Sequence, residues 1–250
     1  GTDTDVKRRA LLALLEIKGV DIRILTVKQA QTAIDRGLHA GGAFSATIPM
    51  VALYYSGLMR YDVENPTRVG QDLFVLSKGH AVATLASIYA DRGYFEASIL
   101  TGSRAWDSVL NGHPGPLLPG VHIATGPMGQ GISAAAGFAS AGRLDDAFDV
   151  FALTGDGELQ EGQPWETIMY AGSRGLDNYC VMVDFNHGQL DTPTALHLDM
   201  ERLPNQFESF GWRVFNVDAT QYGPVYDALK AFKEEQRDGR PTAIICRTTK

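Results

Sequence analysis

Two polar residues, Asp156 and Asn186, stand at the carboxyl ends of two successive predicted strands. The apolar runs 149–154 and 179–183 predict buried parallel strands, and the segment between them predicts a crossover helix. A right-handed crossover brings both strand ends to one edge of the sheet, so the two side chains can meet there. Carboxylate and amide oxygens suit Mg²⁺ or Ca²⁺, and Mg²⁺ is often shared with phosphates. The pair predicts a metal and diphosphate site, although a turn role is commoner for either residue alone.

Gly155 and Gly157 flank Asp156 and predict a sharp turn before a helix that begins near Glu161. Backbone N–H groups in such a turn can approach an anion at a helix N-terminus, where the helix dipole favours negative charge. The chain has no Gly-x-x-x-x-Gly-Lys-Ser/Thr stretch, and its glycines do not follow the Gly-x-Gly-x-x-Gly spacing. The turn therefore favours a diphosphate site that is neither a P-loop nor a dinucleotide fingerprint.

Three histidines occupy loops or junctions in which an imidazole can face a cleft. His39 precedes a pair of glycines, His80 stands where an apolar strand meets a helix, and His113 lies in a loop rich in Pro and Gly. Such positions suit proton transfer or hydrogen bonding to a ligand. From spacing alone, an ordinary loop histidine explains His39 and His80 equally well, and it is the better explanation of His113.

The stretch 124–131, Ala-Thr-Gly-Pro-Met-Gly-Gln-Gly, precedes a helix of small residues. Its glycines offer backbone N–H groups to an anion or a flat ring. Close helix packing explains the small residues of the helix but not the loop. In the later helix, Glu161 and Glu166 lie five residues apart and therefore on different stripes. A favourable position at the helix N-terminus is the structural alternative for Glu161.

The elements that position these groups alternate between strands and helices along most of the chain. Apolar strand-like runs occur at 72–76, 149–154, 179–183, 212–217 and 241–246. Their order predicts an α/β fold, a doubly wound parallel sheet with helices on both faces, in a single domain of residues 1–250. Before the first strand, Leu periodicity predicts two helices, Val6 to Val20 and Leu25 to Leu38, and Ser45 is expected to cap the next helix.

The composition, with 44% hydrophobic and 20% charged residues, is that of a soluble globular protein. A net charge of −7 argues against nucleic-acid binding, so an anionic substrate needs a local positive site. The sequence shows no signal-like segment and no apolar span, which makes a cytoplasmic protein without membrane contact the expectation. Cys180 and Cys246 are expected to be buried thiols, and Lys78 a solvated lysine.

Two of these stretches resemble the motifs of one family. Residues 155–166, Gly-Asp-Gly-Glu-Leu-Gln-Glu-Gly-Gln-Pro-Trp-Glu, followed by Asn186, are similar to the thiamine diphosphate-binding motif in its transketolase version. The loop 125–131 is similar to the family's Thr-Gly-Pro-Leu-Gly-Gln-Gly loop and departs from it at Met128.

The histidine segments resemble the same family. The run that begins at His39 is similar to the transketolase His-Pro-Gly-Gly loop, with Ala40 in place of Pro. Residues 77–80 resemble the Ser-x-Gly-His segment, and residues 112–114 resemble the Gly-His-Pro loop. The resemblance covers nearly the whole chain.

The resemblance implies a thiamine diphosphate-binding fold with a defined set of site residues. Mg²⁺, for which Ca²⁺ can substitute, would be held by Asp156, Asn186 and the backbone carbonyl of Gly188. Cofactor contacts would come from His80, Gly126, Pro127, Met128, Asp156, Gly157, Glu161 and Asn186. The catalytic set would be His39 and His113, facing the sugar hydroxyls, with Glu161 and Glu166 near the subunit contact that helps activate the cofactor.

In this family a Glu on a second, pyrimidine-binding domain activates the cofactor, and 250 residues leave no room for that domain. The resemblance therefore implies the N-terminal subunit of a split transketolase, acting with a pyrimidine-domain subunit as a heterotetramer. It would transfer a two-carbon ketol unit between sugar phosphates or similar anionic sugars. Two alternatives stay open: a subunit of a deoxyxylulose phosphate synthase or 2-oxoacid dehydrogenase, and a non-catalytic domain that only binds partners.

Overall fold

The computed structural model describes residues 3–144, 147–189 and 192–249 of the chain. The helices are α1 (Asp3–Thr32), α2 (Ala40–Ser45), α3 (Thr47–Tyr55), α4 (Val82–Arg92), α5 (Gln130–Ala141), α6 (Gly162–Arg174), α7 (Leu203–Ser209) and α8 (Tyr222–Glu234). The strands are β1 (Leu73–Leu76), β2 (Val150–Gly155), β3 (Tyr179–Phe185), β4 (Gly188–Gln189), β5 (Thr192–Pro193), β6 (Arg213–Asp218) and β7 (Thr242–Arg247).

Five parallel strands form the central sheet in the order β1-β2-β3-β7-β6. The register between β2 and β3 places Gly155 opposite Asp184. Because all five strands run in the same direction, their carboxyl ends lie at one edge, where the loops after β1, β2 and β3 meet. The prediction of a parallel α/β fold is confirmed.

Apolar side chains alternate between two cores, one on each face of the sheet. In β2, Phe151 and Leu153 belong to the first core, whereas Val150 and Ala152 belong to the second. Helices α1, α3, α4 and α8 contribute to the first core, and α5, α6 and α7 contribute to the second. Helices therefore cover both faces, as the doubly wound prediction requires.

The amino-terminal region differs from the prediction of two helices, because α1 continues through it without a break. Buried residues such as Leu15, Ile22 and Thr26 keep one face of α1 on the core along this length, and no proline interrupts it. A Cβ on Gly19 would lie 1.9 Å from the Tyr222 hydroxyl, so this glycine permits the close approach of α1 and α8.

The expected helix cap at Ser45 is also wrong. Ala46 occupies the N-cap position of α3, and Ser45 is the last residue of α2. The Ser45 hydroxyl instead donates to the carboxylate of Asp184 at 2.5 Å. The hydroxyl bonds Asp184 rather than a backbone N–H of α3 because a hydrogen bond to a buried carboxylate is stronger than a neutral capping bond.

Two further expectations concern the interior and the membrane. Cys180 and Cys246 are free, buried thiols in the paired strands β3 and β7, as predicted. In the part of the chain that the structure describes, none of the helices has the length and apolarity that a membrane crossing needs.

Candidate active site

A cavity of about 570 Å³ opens at the carboxyl edge of the sheet, where the loops after β1, β2 and β3 converge. Its lining consists of His39, Gly41, Gly42, Ser77, Lys78, Gly79, His80, His113, Gly126, Met128, Gly155, Asp156, Gly157, Glu158, Asn186, Gly188 and Gln189. Most residues that the sequence singles out are therefore brought together. Pro127, Glu161 and Glu166 are not among the lining residues.

Asp156 and Asn186 meet as the strand order predicts. The buried Asp156 carboxylate accepts hydrogen bonds from the backbone N–H groups of Gly157 and His187, both at 2.8 Å. Asn186 Oδ1 accepts the N–H of Gly188 at 2.9 Å. Burial, together with the nearby charge of Asp184, raises the pKa of Asp156. Each of these backbone bonds fixes an oxygen-bearing side chain at the rim of the cavity.

The oxygen atoms at this edge fit a hard divalent cation. A carboxylate, an amide oxygen and the backbone carbonyl of Gly188 are all oxygen donors, which is the set that Mg²⁺ takes together with phosphate oxygens. Gln189 Oε1, at the same edge, is buried without a hydrogen-bond partner among the described residues. Among the described residues, no group of three or more His, Cys, Asp or Glu side chains is placed to hold a metal ion.

The glycine turn between β2 and α6 faces the open cavity. A Cβ on Gly155 would meet no atom within 4 Å, so the turn leaves free space beside Asp156. The N–H of Gly155 donates to Glu158 at 3.3 Å, and the N–H of Gly157 donates to Asp156. These two donors are therefore already engaged within the chain, and the turn contributes shape and room.

The three histidines all line this cavity. The His39 and His80 rings are perpendicular neighbours with centroids 5.6 Å apart. A Cβ on Gly79 would lie 2.9 Å from the His113 ring and 3.2 Å from Gly126, so the loops that follow β1 and precede α5 pack tightly against this imidazole. We call these three side chains the histidine wall of the cavity.

The surroundings keep His80 and His113 uncharged near neutral pH. Burial, the Lys78 ammonium and His39 lower the pKa of His80 to about 4. Burial, with His39 and Arg104, also lowers the pKa of His113. A neutral imidazole has one donor and one acceptor nitrogen, so these rings can exchange hydrogen bonds with hydroxyl groups.

Lys78 corrects the expectation of a solvated lysine. Its side chain is only 2% exposed, and its ammonium forms an ion pair with the fully buried carboxylate of Asp184. Asp184 also accepts the hydroxyls of Ser45 and Thr248 and the amide of Asn186. Burial opposes ionisation of Asp184, but Lys78 and these donors outweigh it and lower the pKa of the carboxyl. The one sequence signal for this network was an acidic residue inside the apolar strand β3.

Glu158 is a second residue that sequence reasoning missed. Its buried carboxylate accepts four hydrogen bonds, from the Ser77 and Thr154 hydroxyls and from the backbone N–H groups of Gly129 (2.8 Å) and Gly155. These donors come from the ends of β1 and β2 and from the glycine loop before α5. Glu158 therefore connects the ends of β1 and β2 with the glycine loop before α5. The one sequence feature that pointed to Glu158 was its position directly after Gly-Asp-Gly.

The two other glutamates lie outside the cavity. Glu161 is the N-cap residue of α6 but makes no side-chain capping bond, and Glu166 lies in the first turns of this helix. Both are exposed. Their side chains are therefore available to a second chain, and their predicted catalytic role stays a prediction.

The fold and the cavity define this chain as an α/β ligand-binding domain whose site lies at the carboxyl edge of a parallel sheet, as in other open α/β sheets. A family model described as "Transketolase, thiamine diphosphate binding domain" matches residues 18–250. The chain therefore belongs to the transketolase family, as its thiamine diphosphate-binding domain, and the resemblance seen in the motifs is confirmed.

Individual relatives agree with this family. Human transketolase is 38% identical over 232 residues, which are 92% of this chain and 36% of the human protein. The 6-deoxy-6-sulfo-D-fructose transketolase subunit SqwG of Clostridium sp. (strain MSTE9) is 36% identical over 222 residues, covering 85% of this chain and 77% of that subunit. The chain thus spans little more than a third of human transketolase but most of SqwG.

Solved structures share the fold. Transketolase from Campylobacter jejuni matches 94% of this chain with a TM-score of 0.86 and 29% identity, and the match covers 38% of that chain. Transketolase from Leishmania mexicana matches 94% of this chain with a TM-score of 0.87 and 28% identity, and the match covers 36% of that chain.

Proposed function

We propose that this chain is the diphosphate-binding subunit of a split transketolase, which transfers a two-carbon ketol unit between anionic sugars. The observation that carries the proposal is the match to SqwG, a protein named as a transketolase subunit, over 77% of its length. A separate pyrimidine-binding chain completes the enzyme, and two copies of each chain form a heterotetramer. Glu161 and Glu166, both exposed at the start of α6, contact the second chain.

Thiamine diphosphate, when bound, supplies the electron sink that ketol transfer requires. In the proposal, Asp156, Asn186 and the Gly188 carbonyl hold Mg²⁺, which neutralises diphosphate charge. The oxygen-only donor set and the open space beside Gly155 support this assignment. His80, the 126–128 loop and Gly157 position the rest of the cofactor.

The histidine wall positions the sugar. His39 and His113 line the cavity and carry no ion pair among the described residues. In the proposal, they hydrogen-bond the hydroxyls of the transferred ketol unit and move protons between them. The lowered pKa of His113 supports this role, because a neutral ring can accept a hydroxyl proton.

The test is ketol transfer from xylulose 5-phosphate to ribose 5-phosphate, with thiamine diphosphate and Mg²⁺. The chain is assayed alone and with the product of a neighbouring gene that encodes a pyrimidine-binding domain. Activity only in the mixture is the expected result, and 6-deoxy-6-sulfo-D-fructose serves as a second donor because SqwG is named for it. Transfer by the chain alone, or pyruvate decarboxylation by the mixture in place of ketol transfer, would contradict the proposal.

A matched pair of variants connects activity to the histidine wall. Replacing His113 with Asn removes the imidazole, and we expect kcat to fall by roughly 10²- to 10⁴-fold, the usual size of a general acid–base contribution. Replacing the exposed His197 with Asn is the control and should leave kcat unchanged. Equal activities of the two variants would remove His113 from the mechanism.

A further inference from the structure

Helix α1 carries a second line of apolar residues on the side that faces away from the core. The line consists of Ala10, Ala13, Ile17, Val20, Ile24 and Val27, and all six are exposed. Ile17 is 61% exposed and Val20 is 54% exposed. Single exposed apolar residues are ordinary, but a continuous line along one helix marks an interaction surface. We call this line the outer face of α1.

The spacing of the outer face matches helix-to-helix packing. Its members follow one another in alternating steps of three and four residues, which is the a/d repeat of a helix that packs against another helix. The β-branched side chains of Ile17, Val20, Ile24 and Val27 are typical knobs for such packing. The complementary occupant is therefore an amphipathic helix rather than a flat sheet or a small molecule.

Helix α1 lies close to residues that line the cavity. Helix α1 packs against α2, and the cavity is lined by His39, just before α2, and by Gly41 and Gly42 within it. Met128, which is 50% exposed, lies on the rim of the same cavity. A chain that covers the cavity at His39 is therefore within reach of α1.

We infer that the outer face of α1 is the docking surface for an amphipathic helix of the pyrimidine-binding chain. The inference rests on the proposed function, which requires a second chain over this cavity. The length of human transketolase agrees with it, because the match to this chain covers only 36% of that protein and leaves most of it to a second chain in the proposal. Exposed Glu16 and Lys28 flank the apolar line with charges of both signs, and such flanking charges select one partner helix over others.

The experiment measures association of this chain with the pyrimidine-domain chain by sedimentation velocity, for the wild type and for three variants. Ile17→Glu and Ile24→Glu place a charge on the outer face with a good helix former, and their exposure predicts intact folding. Leu196→Glu is the matched control, because Leu196 is 74% exposed and lies outside α1. Circular dichroism checks the fold of each variant.

We expect each outer-face variant to weaken the heteromer at least about tenfold, whereas the control binds as the wild type does. Unchanged association of folded Ile17→Glu and Ile24→Glu, in a wild-type mixture that is active, would overturn the docking site and leave the proposed function intact. A wild-type chain that self-associates through this face would assign the surface to a second copy and overturn the inference. A wild-type mixture with neither complex nor activity would overturn the proposed function and, with it, the inference.

Discussion

Lys78 and Asp184 form an ion pair beneath the cavity, between the ends of β1 and β3, and both side chains are withdrawn from solvent. Asp184 is opposite Gly155 in the sheet and bonds the Asn186 amide, so this pair lies under the Asp156 and Asn186 edge. The buried charge therefore supports the residues that are proposed to hold the metal.

The first prediction concerns this ion pair. Replacing Lys78 with Met leaves the Asp184 carboxylate buried without its counter-charge, and we expect a loss of about 3–5 kcal/mol in the free energy of unfolding. Urea denaturation at neutral pH measures this loss of stability. Replacing the exposed Lys28 with Met is the control and should change stability by no more than about 0.5 kcal/mol. Similar stabilities for the two variants would show that the pair does not support the fold.

The second prediction concerns Glu158. In Glu158→Gln, one oxygen becomes an NH₂ donor that faces groups which are themselves donors, so we expect a loss of at least about 2 kcal/mol in the free energy of unfolding. The backbone N–H of Gly129 should also exchange faster with solvent, because it loses its charged acceptor. Urea denaturation and hydrogen exchange test the two effects. Glu166→Gln, at an exposed site, should leave both unchanged.

The third prediction concerns Asp156 and the metal. Replacing Asp156 with Ala should abolish Mg²⁺-dependent binding of thiamine diphosphate, measured by calorimetry with Mg²⁺ and with EDTA in the assembled enzyme. Asp156→Asn keeps the shape and an acceptor for one of the two backbone bonds but removes the charge, so a loss of affinity in a variant that still folds isolates the effect on the metal. Asp199→Asn, at an exposed carboxylate, is the control. Wild-type affinity in Asp156→Asn would count against the metal assignment.

The fourth prediction concerns pH and His80. The folded pKa of His80 is about 4, below its ordinary value of 6.5, because burial and Lys78 disfavour the charged ring. Between these pH values the unfolded chain binds a proton that the folded chain does not, so the His80 contribution to stability is present above pH 6.5 and falls as the pH drops towards 4.

The measurement compares unfolding free energies at pH 7.5 and pH 5 for the wild type and for His80→Gln. The wild type should lose at least about 1 kcal/mol more than the variant on acidification, since each pKa unit corresponds to about 1.4 kcal/mol. His197→Gln, which replaces an exposed histidine, should behave as the wild type does. A pH response of His80→Gln equal to that of the wild type would place the acid sensitivity elsewhere.

Local patterns in the sequence were sufficient for the sheet and for one edge of the site. Apolar runs with intervening helical periodicity predict parallel strands, and parallel strands must end at a common edge, so Asp156 and Asn186 had to converge. Neighbouring glycines predicted loops at His39 and His113, and the junction of a strand with a helix predicted that His80 lies at that edge. The family could be identified from these motifs because each is a short, contiguous stretch that can be recognised without knowing the fold.

Long-range contacts decided what the sequence could not show. Lys78 looks like a surface residue until β3 brings Asp184 to it from 106 positions along the chain. Glu158 acquires its four donors only when β1, β2 and the loop before α5 meet. The partner of a buried charge depends on which elements the fold makes neighbours, and this information is distributed over the whole chain.

The same distinction applies to α1. Its sequence contains apolar residues on two faces, and periodicity alone does not tell which face the domain covers. The tertiary structure buries Leu15 and Ile22 in the first core and leaves Ile17 and Ile24 in solvent. The sequence therefore determined that α1 is apolar on both sides. Only packing decided which side the domain itself covers, because burial depends on the elements that are adjacent in space and not on the helix alone.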